Sequence, residues 1–199
     1  MAVCALMADI LAIGIDPAKH TGLALVQLDT ETGDASLVGV WPVYGERLRQ
    51  WDVRAMGAAH GLAYGCRHRT DIVCWYERPA PARPGDAAWD PCPLAFRAGA
   101  LQMALMVAGV GIEHLEPVNA SQWASIARVP IGKREGGAHR IEEAATRVAG
   151  AAAALAQIEH CRIDCAEAVL IALACARHEA ARRAGGTQIT LSSREDQPG

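Results

Sequence analysis

Four acidic residues in this 199-residue chain stand where a folded protein delivers chemistry to a site. Asp16 directly follows Ile13-Gly14-Ile15, and Glu77 directly follows Cys74-Trp75-Tyr76, so each is a bare carboxylate at the end of a run apolar enough to be a buried strand. Asp164 and Glu167 lie three residues apart at the head of a late helical segment, which puts both on one side of its first turn. Burying a carboxylate without a partner is costly. A divalent cation offsets that cost, and three or four carboxylates from separate elements can hold two Mg2+ ions ~4 Å apart for in-line phosphoryl displacement. One ion activates water and the other stabilises the leaving oxygen. Each acid also has a plainer reading. Asp16 before Pro17 suits the start of a turn. Glu77 suits an ion pair with Arg78 or another arginine, and Asp164-x-x-Glu167 is a capping-box pattern.

The elements that must position these groups follow from hydrophobic spacing. Ile10 to Ile15 and Leu23 to Leu28 read as two strands joined by a tight turn, and Ser36 to Val43 as a third strand of an antiparallel meander. From Glu46 to Gly65 the apolar residues Leu48, Trp51, Ala55, Ala59 and Leu62 fall about one helical turn apart. Ile72 to Tyr76 is a fourth, buried strand. The proline-rich stretch Pro79 to Pro93 predicts a loop. Leu94 to Ala108 reads as a helix and Ile112 to Pro117 as a fifth strand. Asn119 with Gln122 is a capping box for a helix to about Arg128. A Gly-flanked basic link at Gly132 to Gly137 precedes one helix from Ala138 to Ile158 and another from Asp164 to Arg183. Strands followed by alternating helices imply an α/β fold, one mixed five-stranded sheet with flanking helices, in a single domain over residues 1–184. Residues 185–199 form a polar, flexible tail.

With 51% apolar and 21% charged residues, the chain is neither disordered nor fibrous. Its seven cysteines are scattered, odd in number and set mostly among apolar neighbours, as reduced cytosolic thiols are; His160, Cys161 and Cys165 lack the second half of a zinc site. The apolar run from Ala2 to Ile15 is broken by Asp9 and too short for a bilayer, so no membrane association is expected.

The string Ile13-Gly14-Ile15-Asp16-Pro17 with Thr21-Gly22, a strand ending in Glu77 and a late helix opening Asp164-Cys165-Ala166-Glu167-Ala168 resembles the RuvC-type Holliday junction resolvases, especially their phage-like branch. Those are nucleases of the RNase H-like fold. The resemblance in element order spans about residues 10–180 and implies that Asp16, Glu77, Asp164 and Glu167 bind Mg2+, with Mn2+ able to substitute, and cut DNA strands at four-way junctions. No organic cofactor is implied. Ala18 stands where the family often has glycine, and Glu167 where it often has aspartate. A bacterial cytoplasmic protein, cellular or phage-encoded, is the expected setting.

A formal charge of −3 runs against DNA binding, but without the four carboxylates it becomes +1, and the basic residues cluster. Arg67 to Arg69 form one group, Arg78 and Arg83 a second beside Glu77, and Arg128, Lys133, Arg134, His139 and Arg140 a third. Lys133 and Arg134 in their Gly-flanked loop are the best candidates for phosphate contact, with Arg78, Arg83, His139 and Arg140 around them. Trp89, in the proline-rich loop, suits stacking on an unpaired base or packing onto the body. The near two-fold symmetry of a junction calls for a homodimer. Rival readings keep the fold with another substrate (RNA-DNA hybrid, flap or packaged DNA), make the chain an inert binder of branched DNA, or place it among actin-like nucleotide-binding proteins.

Overall fold

The computed structural model describes residues 9–17, 20–44, 48–66, 72–78, 91–109, 115–130 and 137–185, with the backbone alone described at 48, 49, 51 and 91–98. The elements are β1 (Ile10–Pro17), β2 (Thr21–Leu28), β3 (Ala35–Val43), α1 (Leu48–Cys66), β4 (Val73–Glu77), α2 (Pro91–Val107), β5 (Leu115–Val118), α3 (Ala120–Ala127), α4 (Ala138–Arg147), α5 (Ala151–Ala156) and α6 (Arg162–Arg183). They build one mixed sheet in the order β3-β2-β1-β4-β5. The β1-β2 and β2-β3 pairs are antiparallel; β1-β4 and β4-β5 are parallel.

β1 is buried along its whole length, and side-chain size divides its two faces. Leu11, Ile13 and Ile15, with Leu23 and Leu25 of β2, pack against Ala55, Ala59 and Leu62 of α1 and Leu101 and Leu105 of α2. On the opposite face the middle of the two strands is small, Ala12 and Gly14 of β1 and Gly22 and Ala24 of β2, with Ile10, Val26 and Leu28 beyond. The helix α6 lies directly on that face. A Cβ at Gly14 would fall 2.1 Å from the Ala168 carbonyl oxygen and 2.4 Å from the Ala172 nitrogen; one at Gly22 would fall 2.3 Å from the Asp164 carbonyl oxygen. The outer side of α6 is covered by Trp123, Ala124 and Ala127 of α3, Ala144 of α4 and Ala151 and Leu155 of α5, and Cys165, Ala166, Val169 and Leu173 of α6 are buried in the same core.

Three expectations need correction. The stretch read as one helix from Ala138 to Ile158 is two, because Ala149 leaves the helical path to bridge the free edge of β3: Leu37 N–H donates to the Ala149 carbonyl (2.9 Å) and Ala149 N–H to that of Ala35 (2.8 Å). Gly150, at φ +85°, takes the left-handed turn that restarts the chain as α5. Helix α2 begins at Pro91, inside the stretch read as loop, since a proline in the first helical turn sacrifices no hydrogen bond. Finally, Asp164 does not cap α6: the helix starts two residues earlier, behind Cys161 in the left-handed region at φ 62°. The Asn119 helix is as read, with Asn119 N–H donating to Gln122 Oε1 at 2.9 Å. The tail beyond Gly185, the link 131–136 and most of the proline-rich stretch, 79–90, lie outside the described residues. Among the described residues no helix is long and apolar enough to cross a membrane.

Gly14→Ala is expected to destabilise the protein by about 1–3 kcal/mol or more, because the added methyl meets backbone on α6 rather than a side chain that can turn aside. Urea denaturation measures it. An unchanged midpoint would mean that α6 does not rest on β1 in this way.

Candidate active site

The four acids meet at one end of the sheet, and the strand register explains how. Ile15 pairs with Tyr76 across the parallel β1-β4 ladder, so Asp16 and Glu77 follow side by side at the ends of adjacent strands. Both share the face of Ala12, Gly14 and Trp75, which is the α6 face, because side chains alternate along a strand. Asp16 is also the register partner of Gly22, the residue on which the first turn of α6 rests. That contact holds Asp164, and one turn later Glu167, over the ends of β1 and β4.

Asp16 is 7% exposed, and its carboxyl is raised well above the ordinary range, first by burial and then by the negative charges of Glu167, Glu77 and Asp164. Its neutral form is therefore favoured, with Glu167 as the hydrogen-bonding neighbour. Glu77 is raised by burial, against the pull of the Trp123 indole N–H, which donates to its Oε2 at 2.7 Å. Glu167 is raised by burial and held down by Arg140, whose Nε lies 3.2 Å from Glu167 Oε1. Burial also raises Asp164, with His20 opposing. Every one of the four is thus less willing to ionise here than in water. The cause is desolvation combined with mutual repulsion that one arginine does not cancel. Among the described residues, no three His, Cys, Asp or Glu side chains are grouped tightly enough to hold a metal ion as they stand. Glu77 is drawn to Trp123 and Glu167 to Arg140.

The basic residues singled out in the sequence separate. Arg140 is buried, on Glu167, with its guanidinium carbon 5.0 Å from the Trp123 ring centre. Its Nη1 is buried without a hydrogen-bond partner, as are both ring nitrogens of the neighbouring His139. Arg78 is exposed, and its backbone N–H donates to the Val118 carbonyl at 2.8 Å. Glu77 takes its hydrogen bond from Trp123, not from the adjacent Arg78. Lys133, Arg134, Arg83 and Trp89, with Arg67 to Arg69, lie outside the described residues. The sequence reading missed Trp123 and His20. Trp123 is one of the largest fully buried side chains, and nothing in its spacing distinguishes a carboxylate donor from a core residue.

An antiparallel meander continued by two parallel strands, with helices on both faces and carboxylates at the ends of the two central parallel strands, is the RNase H-like fold. Solved structures similar to this chain are RuvC Holliday junction resolvases. Thermus thermophilus RuvC matches with a TM-score of 0.60 and 18% identity over 90% of this chain and 99% of that one. The same organism's RuvC in complex with a Holliday junction substrate matches with a TM-score of 0.59 and 17% identity, again over 90% of this chain and 99% of that one. No protein-family model and no curated protein matches the sequence.

An acid whose pKa is raised by folding binds its proton more tightly in the folded state. Its stabilising contribution is full below the unfolded carboxylate range and is lost as the pH rises through the raised value. The metal-free protein should therefore lose stability as the pH climbs above about 4. Asp16→Asn, which keeps a donor for Glu167 and removes the most desolvated charge, should raise the melting temperature in EDTA at pH 8. The gain is about 2–4 °C for each kcal/mol recovered in a chain of this size. Melts at pH 5 and 8 test this, and a lower melting temperature for the variant at pH 8 would show that Asp16 is well compensated.

Proposed function

We propose that this protein is a metal-dependent endonuclease that hydrolyses phosphodiester bonds in branched DNA, four-way junctions foremost, and acts in DNA recombination, repair or phage DNA processing. The observation that carries this reading is the convergence of four under-compensated carboxylates, from β1, β4 and α6, at one end of an RNase H-like sheet. A neighbour of the same fold solved with a Holliday junction substrate supports the choice of DNA branch.

Asp16, Glu77, Asp164 and Glu167 would hold the ions. An all-oxygen, anionic donor set suits hard cations such as Mg2+ or Mn2+, and Arg140 on Glu167 is the one arginine paired with these acids among the described residues. When bound, two such ions supply an activated water and charge stabilisation at the leaving oxygen. The chain's own groups prepare the site for that. The Trp123 indole anchors one Glu77 oxygen, Arg140 restrains Glu167, and Asp16 lies beside Glu167 at the centre of the four acids. The buried Trp123 and the α6 contact on Gly22 keep both pairs of acids from drifting apart.

Around this centre, Lys133, Arg134, Arg78 and Arg83 are proposed to contact phosphates, and Trp89 to stack on an unpaired base. His139 and Arg140 belong to the site edge, Arg140 acting on DNA through Glu167 rather than by direct contact. Residues 1–184 would form a single nuclease domain in the bacterial cytoplasm, and a homodimer would present two centres to a junction.

A labelled synthetic four-way junction, its linear duplex and an RNA-DNA hybrid, each with Mg2+, Mn2+ or EDTA, test the reading. Paired metal-dependent nicks in the junction alone are expected. Asp16→Asn and Glu77→Gln should abolish cutting while junction binding survives. Lys133→Ala should weaken binding and reduce its salt slope by about one counterion. Cleavage of the hybrid alone would move the substrate, and neither binding nor cleavage of any of the three would refute the nuclease assignment.

A further inference from the structure

The opposite end of the molecule carries a second concave site. A cavity of about 590 Å³ opens between the β2-β3 turn, the end of α3 and the last turns of α6, with Asp29, Thr30, Arg128, Arg177 and His178 in its wall. Arg177 lies ten residues beyond Glu167 on the same helix, roughly 15 Å away along its axis. The cavity is therefore separate from the carboxylate centre.

Its arginines are unequally paired. Arg182, also in the wall, is satisfied: its Nε and Nη2 donate to the two oxygens of Glu179 at 2.6 and 2.7 Å. Arg128 and Arg177 are not paired in this way, and among the described residues neither has a carboxylate partner. Arg177 uses one Nη1 hydrogen to cap α3 through the Ala127 carbonyl at 3.0 Å, which fixes its guanidinium and leaves further donors. Burial and then the neighbouring Arg147 and Arg128 hold it below its usual pKa. Arg128 is held in the left-handed region at φ 59°, ψ 42°, a conformation that favours glycine, yet the chain keeps an arginine there. His178 lines the same wall, its ring edge-on to Trp75 with 5.1 Å between ring centres. Across from them, Asp29 Oδ1 accepts from the Glu31 and Thr32 N–H groups at 2.8 and 3.1 Å, which fixes its carboxylate at the rim beside Thr30.

We infer that this cavity binds a phosphoryl group on Arg128 and Arg177, with the hydroxyl-bearing remainder of a nucleotide directed to Asp29 and Thr30. Guanidinium forks match phosphate oxygens, a fixed carboxylate accepts from sugar hydroxyls, and Leu28, Ile126 and Ala181 supply apolar wall. The volume is in the range of small-ligand sites and suits a mononucleotide. The phosphoryl group comes either from a free nucleotide or from a nucleic-acid strand, and the two sources are separable by experiment.

Isothermal titration of the full chain in EDTA, which silences metal-mediated binding at the carboxylates, is the test. The probes are inorganic phosphate, AMP, adenosine and a short single-stranded oligonucleotide. Arg128→Gly is the informative variant, because glycine accepts the left-handed backbone and the fold should be kept, as an unchanged or higher melting temperature would verify. Saturable AMP binding that exceeds adenosine's and falls about tenfold or more in Arg128→Gly is expected. The same loss seen with the oligonucleotide but no binding of AMP would assign the phosphoryl group to a strand. Binding of none of the probes, or binding unchanged in a folded Arg128→Gly, would overturn the inference. Because the readout is ligand heat and not cleavage, failure here leaves the nuclease reading untouched, and the reverse also holds.

Discussion

The backbone-to-backbone seating of α6 on β1 and β2 is the constraint on which the rest of this structure depends. It exists because Gly14 and Gly22 have no Cβ, so that the backbone of α6 rests on them, Ala168 and Ala172 over Gly14 and Asp164 and Cys165 over Gly22. Helices packed through ordinary side chains stand 8–10 Å from their neighbours, and a methyl group here would already collide with main chain. The close approach has two consequences. It excludes water from the centre of the sheet, where β1 is buried on both faces, and it sets the height of the first turn of α6 above the strand ends. Asp164 and Glu167 reach Asp16 and Glu77 only at that height.

The seating also explains why the acids are costly to the folded chain. Closing the helix onto the strands desolvates four carboxylates together, and the protein answers with one buried arginine, one indole N–H and a raised Asp16 carboxyl. Residues chosen for stability alone would not be placed so. Proteins depart from local stability rules mainly at functional sites, and the deficit of positive charge is what the proposed divalent cations would make good. Arg140 is central to this balance. It neutralises Glu167 and lies against Trp123, which in turn binds Glu77, so the helices α3 and α4 are tied to the acids of β4 and α6.

Charge is distributed differently along α6. Its first turns carry carboxylates short of cations; its last turns carry arginines, of which Arg182 and Arg183 are matched by Glu179 and Arg177 is not matched by any described acid. Basic residues near a helix C-terminus complement the macrodipole, which accounts for Arg182 and Arg183. It does not account for a left-handed arginine at the end of α3 facing the same cavity.

The amino-acid sequence by itself determined the order of strands and helices and which acids stand at the ends of buried runs, because period-2 and period-3.6 apolar spacing and bare terminal carboxylates are local signals. The resemblance carried by Asp16, Glu77, Asp164 and Glu167 pointed to the RNase H-like fold that the structure has. Other features had no local signal. The break at Val148 to Gly150 arises from the unpaired edge of β3, a partner more than a hundred residues away in sequence, while the intrinsic preference of an alanine-rich stretch is for one helix. The start of α6 at Arg162 follows from the left-handed Cys161, a conformation that residue type does not announce. Partners too were decided only by tertiary structure. Arg140, which in sequence belongs to a basic cluster, is turned inward to Glu167, and Trp123 is aimed at Glu77, since hydrogen-bond direction and burial depend on how elements from distant parts of the chain pack.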